Sequence, residues 1–115
     1  MKTTIRKKRA DRTKQYERQA EIMQAFSHPI RIAIVEVLRD GEVCVCHITE
    51  RIGAERSNVS RHLAIMLRTG VLQTRREGLQ VYYSLRTPCM LKAIDAAGKA
   101  AQQIIRDNAK AFAKN

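Results

Sequence analysis

Gly53 constrains this chain more than any other single residue. It separates two short segments, His47 to Ile52 and Ser57 to Thr69, in which apolar residues recur at spacings of three and four. Glycine there supplies the tight turn between two short helices, Ser57 stands where the second helix wants a cap, and Gly70 stops that helix. Directly afterwards, Val71 to Arg76 and Gln80 to Leu85 bracket Glu77-Gly78-Leu79 with β-branched and aromatic side chains, the pattern of a two-stranded hairpin. A hairpin that follows the second helix of such a pair is a wing. The pattern predicts a mainly α fold with a small β-hairpin wing, a winged helix-turn-helix.

The flanking elements follow from periodicity. Tyr16, Ala20, Met23 and Phe26 share one face of a helix over about residues 13–26. Ser27 or His28 caps the next helix with Pro29 at its first position, and Ile30, Ile32, Ala33, Ile34, Val35, Val37 and Leu38 make it a core helix, apolar nearly all round. Asp40-Gly41 ends it, and Val43-Cys44-Val45 reads as a short extended segment. On the second helix of the pair, Val59, Leu63 and Leu67 are expected to face the core. Thr87-Pro88 opens a last helix from about Cys89, with Ile94, Ala101, Ile104 or Ile105, and Phe112 along one stripe. The first and last helices carry more apolar surface than so small a core can cover, so they are expected to join two copies into a homodimer. Residues 1–12 are set apart as a basic N-terminal arm, and residues 13–112 as the winged helix-turn-helix domain with its dimerisation helices.

Charge narrows the choice of partner. Lys and Arg number 22 against 11 Asp and Glu, a net charge of +11, and such a balance favours a polyanion. Eight of the basic residues fall within the first 18 positions, as an arm that could lie along a phosphate backbone. Arg56, Ser57, Asn58, Ser60, Arg61 and His62 occupy the first turns of the second helix of the pair, where polar groups meet phosphates and base edges and Arg61 is suited to guanine. Arg75, Arg76 and Gln80 in the hairpin are placed to reach the backbone or minor groove. The expected partner is double-stranded DNA. No apolar run is long enough to cross a bilayer and none resembles a signal segment, so no membrane partner is expected and the cytoplasm is the expected compartment. No serine or cysteine has a histidine and acid at a recognisable spacing, and there is no phosphate-binding glycine loop. Neither catalysis nor an organic cofactor is expected.

Cys44 and Cys46, one valine apart ahead of the helix pair, form the candidate metal site. Thiolates hold thiophilic ions such as zinc, cadmium or trivalent arsenic far better than hard cations. Three cysteines, an odd number, argue against a disulfide framework. Trivalent arsenic and antimony prefer three thiolates, which makes Cys89 the candidate third ligand, within one subunit or across the dimer; His47 could serve instead for zinc or cadmium. Side chains at i and i+2 diverge on a helix and converge on an extended segment. Chelation by both cysteines is therefore expected to need residues 44–46 extended or unwound.

Four stretches carry a family likeness: Ala25-Phe26-Ser27-His28-Pro29-Ile30-Arg31-Ile32-Ala33-Ile34, Glu42-Val43-Cys44-Val45-Cys46-His47-Ile48, Asn58-Val59-Ser60-Arg61-His62-Leu63 and Arg75-Arg76-Glu77-Gly78-Leu79-Gln80-Val81-Tyr82-Tyr83. Together, over Met23 to Leu91, they resemble the ArsR/SmtB family of metal- and metalloid-responsive repressors. The resemblance implies a homodimeric winged helix that sits on an operator of twofold symmetry, represses transcription and dissociates when an inducer binds. Its Cys-Val-Cys resembles the inducer site of arsenic- and cadmium-type sensors and implies arsenite or antimonite. Cadmium, lead, zinc or thiol oxidation is the alternative within this fold, and a constitutive DNA-architectural protein with inert cysteines is the alternative outside it. The chain departs from the family in three places. Thr49 stands where the arsenic-type motif carries a third cysteine, the N-terminal cysteines of cadmium-type sensors are missing, and of the zinc-type Asp, His and Glu cluster on the last helix only Asp95 is met.

Overall fold

The computed structural model describes residues 2–113, with side chains from Arg6 onward. Its elements are α1 (Lys2–Ala25), α2 (Pro29–Val37), β1 (Val43–Cys44), α3 (Val45–Ile52), α4 (Arg56–Thr69), β2 (Leu72–Glu77), β3 (Gln80–Leu85) and α5 (Met90–Ala113). The order is that of a winged helix-turn-helix: α3 and α4 are the helix pair, and β2 and β3 the wing.

Helix α1 corrects the arm expected at residues 1–12. Residues 2–12 are helical and run on without a break to Ala25, while Met1 lies outside the described residues. Up to Ala25 the chain holds neither glycine nor proline and is rich in Lys, Arg, Gln, Glu and Ala, all good helix formers. Nothing local marks a boundary at residue 13.

The core gathers where α1, α2, α3, α4 and the start of the wing meet. Phe26, Ile34, Val35, Leu38, Ile48, Val59, Leu63, Met66, Val71 and Leu72 are all buried there. His28 caps α2, accepting the Ile30 N–H on Nδ1 at 3.1 Å. On α4 the buried stripe runs through Val59, His62, Leu63 and Met66, which corrects two expectations. Leu67 is 38% exposed and Met66 takes its place in the core. Glu55, not Ser57, is the N-cap residue, in extended conformation, so Ser57 lies inside the first turn.

Gly53 adopts φ 71° after the last turn of α3 and returns its N–H to the Thr49 carbonyl at 3.2 Å. That left-handed conformation is open to glycine at little cost and reverses the chain toward α4. In the wing, Gly78 is the first residue of a two-residue turn with φ 61°, the position at which a type II′ hairpin needs glycine.

The sheet has three strands rather than the two of the expected hairpin. Its order is β1-β3-β2, antiparallel, with Val43 opposite Tyr83 and Cys44 opposite Tyr82. A two-residue strand has no periodicity to read, so only its extended character was legible.

No residue of helix α5 is fully buried: Met90, Leu91 and Ile94 pack partly buried against the core, and Phe112 is 85% exposed. Arg39 at the end of α2 ties it down through Asp95, with Nη2 to Oδ1 at 2.6 Å. The Cα radius of gyration is 18.7 Å, whereas a compact domain of this length has about 13 Å. Among the described residues, no helix is long and apolar enough to cross a membrane.

Candidate thiol site and nucleic-acid interface

Cys44 is both the last residue of β1 and the N-cap of α3, with extended backbone (φ −63°, ψ 141°); Cys46 is in the first turn of α3. Cys44 makes no side-chain capping bond, yet its place just outside the helix leaves its side chain beside the first turn, with the two Sγ atoms 2.9 Å apart. The thiols therefore converge with α3 intact, a correction to the expected need for an extended or unwound segment. The periodicity rule fails here because one of the two residues lies outside the helix.

All three cysteines are free; Cys44 is buried, and Cys46 and Cys89 are exposed. The Cys44 thiol donates to Oε1 of Gln80 at 2.8 Å. A cleft of about 420 Å³ opens beside the pair, walled in part by Glu42, His47, Arg51 and Tyr82. The Cys46 thiol, then the backbone N–H groups of Cys46 and His47, stabilise a Cys44 thiolate and lower its pKa. The same hydrogen bond, with desolvation and the Cys44 charge, raises that of Cys46.

Within one chain the third ligand is not supplied. Among the described residues no group of three or more His, Cys, Asp and Glu is gathered closely enough to hold a metal ion. This corrects the single-subunit site closed by Cys89, and His47 does not join the thiols either. Its Nδ1 lies 3.7 Å from Glu50 Oε2. Thr49 donates its hydroxyl to the Val45 carbonyl at 3.1 Å, and Asp95 is engaged by Arg39. The residues present fit a thiophilic ion by two donors and leave the remainder to come from outside the chain.

On α4, Arg56, Ser57, Ser60 and Arg61 are exposed and Asn58 partly so. Arg61 Nη2 donates to Asn58 Oδ1 at 2.7 Å, holding the guanidinium over the first turn. The carbonyl of Glu55 takes the N–H groups of Asn58 and Val59. Exposed polar side chains and the positive end of a helix dipole thus share one surface, the chemistry that receives a phosphate.

His62 does not belong to that surface, contrary to expectation. It is only 6% exposed, its Nδ1 accepts from Arg31 Nε at 3.1 Å, and its ring centroid lies 4.2 Å from that of His28. The reason is helical spacing, since residue 62 falls between Val59 and Met66 on the buried stripe. In the wing, Arg75 is exposed but already paired with protein partners. It reaches Glu42 at 2.7 Å and Glu77 at 2.9 Å, and its guanidinium lies 4.7 Å from the centre of the Tyr82 ring. Arg76 points to the opposite face, as strand alternation requires, and is exposed.

Sequence reasoning missed Arg31, Glu42 and the thiol contact of Gln80. Each acts on a partner more than 30 residues away, and no local pattern announces such a pair.

Residues 28–74 match the family described as bacterial regulatory protein, arsR family. The chain is 33% identical over 84 residues to an uncharacterised HTH-type transcriptional regulator of Methanocaldococcus jannaschii, a match that covers 70% of this chain and 94% of that protein. It is 43% identical over 49 residues to an arsenic resistance transcriptional regulator of Pseudomonas putida, covering 43% of this chain and 38% of that one. The crystal structure of the transcriptional repressor BigR from Xylella fastidiosa superposes with a TM-score of 0.67 at 28% identity, over 76% of this chain and 90% of that one.

Proposed function

The chain belongs to the arsR family of bacterial regulatory proteins, and from that premise we propose that Cys44 and Cys46 are the inducer site of a DNA-binding transcriptional repressor. Arsenite or antimonite is the inducer that suits the site best. One observation carries the reading: two free thiols 2.9 Å apart at the N-cap of α3, the helix that the Gly53 turn joins to α4. Trivalent arsenic exchanges hydroxyl groups for thiolates, and soft sulfur donors select it over hard cations. Its third position is filled by Cys89 of a second subunit or by a small-molecule thiol.

The repressor binds DNA as a homodimer through α1 and α5. The support is the exposed apolar side chains there, Tyr16, Met23, Ile104, Ile105 and Phe112, together with the extended shape of the single chain. A twofold axis sets two α4 helices against half-sites about one helical turn apart in an operator of matching symmetry. Arg56, Ser57, Asn58, Ser60 and Arg61 read or clamp the major groove, and Arg76 reaches the backbone beside it. An ion on the N-cap of α3 alters the seat of α4. It releases the operator only if it binds the free protein more tightly than the bound one.

Cadmium, lead or zinc would use the same thiolates, and the close Sγ contact also makes the pair oxidisable to a disulfide. A mobility-shift assay with arsenite, cadmium and a mild oxidant in separate lanes distinguishes them. Release by arsenite at the lowest concentration supports an arsenite-induced repressor, and release by none favours a DNA-architectural protein with inert cysteines.

A further inference from the structure

We propose that Gln80 is a positioning residue that transmits occupancy of the thiol pair to the wing, rather than a direct reader of DNA. The inference rests on the inducer reading of Cys44 and Cys46 and adds a route by which the inducer is felt.

Segment 42–44 is fastened to the wing at three points. The backbone of Cys44 pairs with Tyr82 in β3. Its thiol donates to Gln80 Oε1 at 2.8 Å. Two residues earlier, Glu42 takes both Nε and Nη2 of Arg75, at 3.1 and 2.7 Å, and Arg75 also holds Glu77. Gln80 and Glu77 face each other across the two-residue turn at the wing tip. The tip that carries Arg76 is thereby braced from the thiol site on one side and from Glu42 on the other.

Only one of these fastenings is altered by thiol chemistry. When arsenous acid reacts with the pair, two S–H bonds break, two As–S bonds form, and the two protons leave with two hydroxyl groups of the acid as water. Arsenic stays trivalent throughout. Cys44 then has no proton to donate, and Gln80 Oε1 faces a sulfur that offers no hydrogen bond. The carboxamide must turn, to present its N–H groups to the sulfur, or leave, and either way the brace on that side of the wing is reset. DNA binding needs the wing held, so occupancy and DNA binding oppose each other. By linkage, operator DNA must weaken arsenite binding by the same factor.

The test uses the full chain with arsenite as the probe and two readouts: arsenic–thiolate absorption for binding, and anisotropy of a labelled operator for release. Gln80→Leu removes the acceptor at an exposed position. It is expected to bind arsenite at least as tightly as the wild type, while the factor by which arsenite weakens operator binding falls about two- to tenfold, the range one hydrogen bond carries. Gln80→Glu keeps an oxygen acceptor and is expected to restore the wild-type factor. An unchanged factor in Gln80→Leu, whether or not DNA affinity drops overall, overturns the proposal and returns Gln80 to the DNA surface or to no role. A wild-type protein that arsenite fails to release overturns the inducer reading itself, and this route with it.

Discussion

Arg31 donates its Nε–H to Nδ1 of His62 across 3.1 Å, joining the first turn of α2 to the middle of α4. Arg31 also donates to the Gln24 carbonyl at 3.0 Å, so one guanidinium bridges α1 and α4. A histidine that accepts on Nδ1 is neutral, with its proton on Nε2. The helix presented to DNA is thus held in place by an imidazole that must stay uncharged.

Acid should therefore loosen the fold through His62. Burial first, then the charges of His28, Arg31 and Arg61, lowers its pKa from the ordinary value of 6.5. In the window below that value the unfolded chain binds a proton that the folded chain refuses, so stability falls as pH falls. It is complete above about pH 6.5 and declines toward the folded pKa. Glu36, Glu42 and Asp95, lowered by Arg39 or Arg75, act in a more acidic window. His62→Gln should flatten the decline of the urea midpoint as pH falls below about 6.5; parallel profiles for the two proteins would contradict it.

Cys44→Ser should fold and bind operator while losing its response to arsenite. Serine is preferred at an N-cap and can accept the N–H groups of the first turn, so stability should stay within about 1 kcal/mol of wild type. A loss of about 3 kcal/mol or more in urea unfolding would mean that the buried thiol serves chiefly as core packing.

Three arginines should separate by salt dependence. Arg61→Ala should cost roughly 1 to 3 kcal/mol on operator DNA and relax sequence preference, and Arg76→Ala should weaken all DNA about equally and lower the salt slope by about one. Arg75→Ala should leave the slope unchanged, because its charge is already paired with Glu42 and Glu77. Anisotropy over a salt series reads all three. A slope change in Arg75→Ala equal to that of Arg76→Ala would mean that Arg75 leaves its carboxylates for phosphate.

Ile105→Glu should dissociate the dimer without unfolding the winged helix-turn-helix. Ile105 and Phe112 are exposed in the single chain, and α5 packs on the core only through Met90, Leu91 and Ile94 in its first turns. Sedimentation should give a monomer with a retained unfolding transition. A dimer of unchanged affinity would move the interface elsewhere.

The parts of this molecule legible from sequence are those written locally. Gly53 and Gly70 delimit the helix pair because positive φ is read from glycine alone, and the hairpin around Gly78 is read from strand propensity. The Cys44 and Cys46 pair is legible as chemistry but not as geometry, since the N-cap that joins the thiols depends on where α3 begins. Burial of His62 turns on which of two adjacent helical spacings the core selects, and the core took residues 59, 62, 63 and 66. Strand β1, the Glu42–Arg75 pair and the Gln80 contact arise only when the wing folds back on residues 42–44, a long-range event without local signature.

The inducer site is tested most directly by titrating arsenite into the protein bound to labelled operator, selected from random DNA by the protein itself, under anaerobic reducing conditions. The wild-type protein is expected to dissociate at about one arsenite per thiol pair, and a Cys44→Ser, Cys46→Ser double variant to stay bound at the same concentration. Dissociation of both proteins at that concentration, or of neither, would contradict an inducer site at Cys44 and Cys46.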